Sequence, residues 1–220
     1  MTINQLAKST HSRRSHSLLT TTGVIGTGYV LSWIAGLSLP APSPAVNASG
    51  AAIVSAYSGH EAAGVVNFAL TEGLPAVGIA VISLALARAA GGTRGRVLRV
   101  AGLAAMFISI AEFVLGLILV KTQDAASAQL LWSTVERIDG IKMFAFAVLG
   151  AAAYGSAALP RWLRYTGAAL AATMAASGVA YLLLLPSAPI AVGPALLALL
   201  TLMAGAGIVL GAKARQVRAG

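Results

Sequence analysis

The sequence predicts an all-α fold, a polytopic integral membrane bundle of six transmembrane helices with the N- and C-termini cytoplasmic. Three observations predict it. Hydrophobic residues make up 58% of the chain and charged residues 10%, with a mean hydropathy of +0.84. A soluble domain carries about 25% charged residues, so this chain has too few to cover a globular surface. Six apolar runs reach the ~20 residues that a helix needs to cross a bilayer. Finally, the basic residues gather at the termini and in alternate loops.

The six spans are Leu18–Leu39, Ala62–Ala87, Leu98–Val120, Ile138–Ala158, Tyr165–Leu185 and Ala195–Ala212. Backbone groups in lipid must bond internally, so these runs are helices, and no alternating ten-residue pattern suggests a barrel. Pro- and Gly-rich stretches separate them: LPAPSPAVNASG after the first, AAGGTRGR after the second, ALPR after the fourth and LPSAPIAVGP after the fifth. The link KTQDAASAQLLWSTVER is longer. Its Ala128, Leu131, Trp132 and Val135 recur at helical spacing, which predicts a short helix lying on the membrane surface.

Topology follows from charge. Lys8, Arg13 and Arg14 precede the first span; Arg88, Arg94, Arg96 and Arg99 follow the second. Arg161 and Arg164 follow the fourth, and Lys213, Arg215 and Arg218 the sixth. Twelve of the 15 basic residues thus fall on one side, cytoplasmic by the positive-inside rule. The organisation is a basic cytoplasmic tail over residues 1–17, a six-helix domain over 18–212 and a second basic tail over 213–220. The net charge of +9 is then a signal of topology in the cell membrane, and nucleic acid is excluded as a partner. An uncleaved first span is favoured over a signal peptide ending at Ser43–Ala45, because the apolar run exceeds a usual signal core. Small residues supply the packing device: Gly23, Gly26 and Gly28 in the first span, and Gly207 with Gly211 in the sixth.

The six acidic residues, Glu61, Glu72, Glu112, Asp124, Glu136 and Asp139, all fall in the outer half or outer loops. At 1.5 Å per residue, Glu72 lies roughly 16 Å and Glu112 about 12 Å below the outer surface. Asp139 and Lys142 begin the fourth span from the same side. Glu61, Phe68, Glu72 and Pro75 share a stripe of the second span, and Ser109, Glu112 and Gly116 a face of the third. Thr173, Ser177 and Tyr181 form a polar stripe on the fifth. Turned inward, these faces would make one polar cavity open to the outside. Intramembrane carboxylates are costly, so they face an interior, find partners and mark function. Pro75 cannot donate to the Thr71 carbonyl, which predicts a kink beside Glu72.

Each signal has a plainer reading. Glu72 and Glu112 could glue helices together, and Asp139 with Lys142 is a common helix-start pair. Trp33, Trp132 and Tyr57 read as interfacial-belt aromatics, with Trp132 also carried as a substrate contact. Asn47-Ala48-Ser49 is a glycosylation sequon. There is no cysteine, no HExxH and no nucleotide loop, so no cofactor or metal is implied.

The segments ERIDGIKMFAFAVLG (Glu136–Gly150) and LPRWLRYTGAAL (Leu159–Leu170) resemble a group of uncharacterised multi-pass membrane proteins of high-GC Gram-positive bacteria. The resemblance implies a bacterial membrane protein and carries no activity.

The leading expectation is a membrane-embedded enzyme of acid-initiated cyclase, isomerase or epoxide-opening type, acting on a lipophilic isoprenoid- or lipid-like substrate. Glu72 would be the acid, Glu112 or Asp139 the base, and Lys142 would tune Asp139. Glu61, Phe68, Ser109, Trp132, Ser177 and Tyr181 would contact substrate, and Phe68, Phe107, Phe113 and Tyr181 would offer π faces to a cationic intermediate. The alternatives are a proton- or cation-coupled transporter, whose six spans without a repeat call for a homodimer, and a non-catalytic membrane subunit or scaffold.

Overall fold

The computed structural model describes residues 22–219, so the start of the first predicted span and both tail ends lie outside the described residues. Every regular element among the described residues is helical. Helix α1 covers residues 22–38, α2 Gly50–Tyr57, α3 Glu61–Phe68, α4 Leu74–Ala90, α5 Gly92–Leu119, α6 Ala125–Tyr154, α7 Arg161–Leu182 and α8 Ala188–Ala219. A single π-helical turn, Ala69–Gly73, joins α3 to α4 without a break. Among the described residues, three helical stretches are long and apolar enough to cross a membrane: Glu61–Ala90, Gly92–Leu119 and Ala188–Gln216.

Neighbours in sequence pack as neighbours in space, α4 on α5, α5 on α6, α6 on α7 and α7 on α8, and α4 returns to α8 to close the ring. α1 lies along the α4–α8 seam. The Thr22 hydroxyl donates to Gly207 O at 3.1 Å, and a Cβ on Gly26 would stand 2.8 Å from Met203 O. Gly28, by contrast, has nothing within 4 Å, so it plays no part in this seam.

α6 and α7 cross closely through two reciprocal glycine pairs that the alanine-rich runs do not announce. A Cβ on Gly140 would lie 2.9 Å from Gly178 O and one on Gly178 2.9 Å from Gly140 O. Gly150 and Gly167 repeat the arrangement at 2.6 and 2.7 Å. Small residues here let two backbones touch, the packing mode that lipid-embedded helices rely on.

Inside the ring runs one continuous apolar core, including Ile82 and Leu86 of α4, Leu98 of α5, Leu149 of α6, Leu170 of α7 and Leu202 of α8, each fully buried. The outside is apolar as well. Leu31, Val77, Val100, Phe107 and Leu197 are each 60% exposed or more. A water-soluble monomer seldom exposes contiguous apolar surface beyond a few hundred Å².

Two local expectations are corrected. The link before the fourth span is no separate surface helix: α6 runs unbroken for 30 residues, roughly 45 Å. Asp124 caps it, accepting a hydrogen bond from Ser127 N–H at 2.8 Å. Between the first two spans, where no element is expected, lies α2, whose N-cap is Ser49 of the sequon. α2 packs against the first turns of α6, with Ile53, Tyr57, Ala128 and Trp132 in one buried cluster.

Candidate functional site

Lys142 sits on the buried face of α6, 5% exposed. Its ammonium donates to Glu72 Oε2 at 2.7 Å and to Glu112 Oε2, and is ion-paired with Asp139 Oδ1 at 2.9 Å. The three carboxylates come from the π turn, from α5 and from one turn earlier on α6. Isolated ions at this depth would be prohibitive, and mutual attraction in a poorly screened interior is what holds them.

The π turn explains how Glu72 reaches this point. Pro75 has no N–H, so the helix before it cannot keep a regular ladder. The Leu74 N–H reaches back to Ala69 O instead. The Leu70 carbonyl accepts a hydrogen bond from the Ser32 hydroxyl of α1 at 2.6 Å, and Asn67 Nδ2 donates to Gly36 O at 2.9 Å. The disturbance expected at Thr71 is thus resolved at Leu70 by a side chain from another helix. The extra residue of the π turn re-aims the α3 side of the span relative to α4, a device common at functional sites.

Against these carboxylates lies a cavity of about 250 Å³. Trp33, Tyr57, Phe68, Trp132 and Tyr181 contribute aromatic wall, and Pro42 and Ser43 of the α1–α2 linker lie over it. The Trp132 indole donates to Ala45 O at 3.0 Å and ties that linker to α6. Four acidic residues line the cavity, Glu72, Glu112, Glu136 and Asp139, and among the described residues no Lys or Arg does. Lys142 stands behind three of them. Glu136 differs: it is 7% exposed and has no hydrogen bond or ion pair among the described residues. Glu112 Oε1 is likewise buried without a hydrogen-bond partner.

Oxygens of Glu72, Glu112 and Asp139 lie within 4.8 Å of one another, a spacing that could hold a metal ion. The Lys142 ammonium already bonds each of these carboxylates, so the cluster carries its own cation. Three carboxyls on one ammonium, with a fourth alongside, leave more acidic groups than cations at the cavity wall.

The structure brings Glu72, Glu112, Asp139 and Lys142 together and places Phe68, Trp132 and Tyr181 in the cavity wall. Other expected contacts lie elsewhere. Glu61 is at the start of α3, accepting from Gly59 N–H at 3.0 Å, outside the cavity. The Ser177 hydroxyl lies 2.9 Å from Thr173 O and 3.0 Å from Ala191 O, linking α7 to α8. Ser109 is buried below Glu112 and does not line the cavity. Phe107 is 65% exposed and points outward. Tyr57 and Trp132, read as belt aromatics, are 4% and 8% exposed and face inward. Sequence reasoning missed Glu136 as a site residue, along with Asn67 and Thr71. The i, i+3 spacing from Glu136 to Asp139 on one helix was the available signal.

Together the fold and the site define a class: a helical protein with membrane-grade helices around a buried lysine–carboxylate centre. No protein-family model matches the chain, and comparisons with curated proteins and with solved structures give no match.

Proposed function

We propose that the protein is a multi-pass protein of the cell membrane, crossing it six times with both termini cytoplasmic, and that its outer cavity binds a small cationic solute for proton- or cation-coupled transport. Glu136 carries this reading. A buried carboxylate without a partner is expensive, and here it faces an aromatic-walled cavity free of basic side chains. A positive ligand would supply the missing partner and meet π faces at the same time.

Support for six crossings comes from the ring, in which α1, α6 and α7 pack beside the three apolar stretches. Among the described residues, three basic segments also share one end. Lys213 donates to Ala158 O at 2.9 Å, Arg164 to Tyr154 O at 2.8 Å, and the Arg94 guanidinium lies beside Gly155. The acidic cavity lies at the other end.

The cavity's size and the role of Lys142 reverse the order in which the sequence ranks enzyme and transporter. Drug-sized ligands occupy about 300–1,000 Å³, so about 250 Å³ suits a small solute better than an isoprenoid lipid. Glu72, Glu112 and Asp139 all engage Lys142, which leaves none as a lone general acid. One observation favours the enzyme as a second reading. Beneath the site Ile79, Ile82 and Phe146 close the path to the basic end, so access is one-sided.

Proteoliposome uptake distinguishes the two. Vesicles with an internal pH dye would be challenged with sodium, potassium, a primary amine and a quaternary ammonium ion. The transport reading predicts uptake of at least one, coupled to a proton or ion signal and lost in Glu136→Gln. Saturable binding without flux would move the enzyme reading ahead.

A further inference from the structure

On another face of the bundle, an apolar groove runs between α5 and α6 from the basic end up to Ile108 and Ile141. Its volume is about 570 Å³. Val97, Val100, Ala104 and Ile108 form one wall, Phe144 and Val148 the other. Along α5, Arg96 to Ile108 spans roughly 18 Å. Half of a ~30 Å hydrocarbon core is about 15 Å, so the groove has the depth of one leaflet.

Its basic end is charged. Arg96 lines the groove and also a second cavity of about 310 Å³, shared with Arg88 and Arg99 at the α4–α5 turn. Gly91 and Gly92, with φ of +62° and +53°, make that turn tight enough for the arginines of both helices to face one space. Arg88, Arg96 and Arg99 have no hydrogen bond or ion pair among the described residues. None of the six acidic residues lies at this end, so the three guanidinium groups have no internal counter-charge.

We propose that this composite site binds one anionic phospholipid of the cytoplasmic leaflet, its phosphate between Arg88, Arg96 and Arg99 and one acyl chain in the α5–α6 groove. Guanidinium forks match phosphate geometry, and the shallow groove offers an acyl chain apolar side chains from two helices. The inference rests on the membrane reading and is independent of the cation cavity.

The test is lipid retention. Protein reconstituted with phosphatidylglycerol and phosphatidylcholine in equal amounts is re-extracted, washed in detergent, and its co-purifying lipid quantified by headgroup. The expected result is about one phosphatidylglycerol per chain and little phosphatidylcholine. Arg96→Gln with Arg99→Gln should lower retention about tenfold. Ala104→Phe should lower it too, by filling the groove while leaving the arginines in place. These positions are on or near the surface, and an unchanged thermal midpoint would show that each variant folds. Equal retention of the two lipids would overturn the proposal, as would full retention in the arginine variants. Displacement of the retained phosphatidylglycerol by glycerol phosphate, which has no acyl chain, would overturn the role of the groove.

Discussion

Removing the Lys142 ammonium is the most informative single change. In Lys142→Met the apolar stem stays and the charge goes, leaving three carboxylates around an empty partner position. Breaking a buried ion pair by deleting one member costs about 3–5 kcal/mol. One ammonium here serves Glu72, Glu112 and Asp139, so the cost should fall at the top of that range. For a chain of this length, each kcal/mol moves the midpoint by roughly 2–4 °C, which gives a drop of at least about 10 °C. Thermal unfolding in a mild detergent at neutral pH would measure it. The partner substitution Glu112→Gln should recover part of the loss when combined with Lys142→Met, because it removes one of the stranded charges. If Lys142→Met unfolds where the wild type does, or if the two changes are additive, the ammonium is not what balances this centre.

Glu136→Gln should act in opposite senses on stability and binding. It removes an unpartnered buried carboxylate, so the ligand-free protein should gain about 1 kcal/mol while losing affinity for cations; a midpoint measurement with and without ligand checks both. Gly150→Leu should destabilise by about 1–3 kcal/mol, since a Cβ there already meets Gly167 O at 2.6 Å; chemical unfolding would show it. Ser32→Ala should cost about 1 kcal/mol by leaving the Leu70 carbonyl without its hydroxyl donor. The Asp124 carboxyl is held below its usual range by the Ser127 N–H that it accepts. Its stabilising contribution is therefore full above the unfolded carboxyl value and fades as pH falls through the lower folded value. Asp124→Ala should lose that acid-side dependence, measured as midpoint against pH.

Rise per residue was enough to place Glu72 and Glu112 at one level, and the i, i+3 step put Asp139 beside Lys142; the structure has all four in contact. Composition and apolar runs made the helical architecture legible. What could not be read depends on contacts between distant segments. Tyr57 and Trp132 looked like belt aromatics because nothing local shows that α2 exists and packs on α6. The Ser177 hydroxyl sits on a polar stripe, yet a serine in a helix can bond backward or across to a neighbour, and here Ala191 O on α8 is within reach. Pro75 announced a broken ladder at Thr71. That the break becomes a π turn, relieved at Leu70 by Ser32, depends on where α1 lies.

Tryptophan fluorescence reads whether the outer cavity takes up the proposed cation. Of the three tryptophans, Trp33 and Trp132 line the cavity, while Trp162 is 53% exposed on α7. In a Trp162→Phe background, titration with tetramethylammonium and with butylamine should give a saturable change in emission for at least one, weakened tenfold or more by Glu136→Gln. A response that never saturates for either ion, or that Glu136→Gln leaves unchanged, would contradict the account.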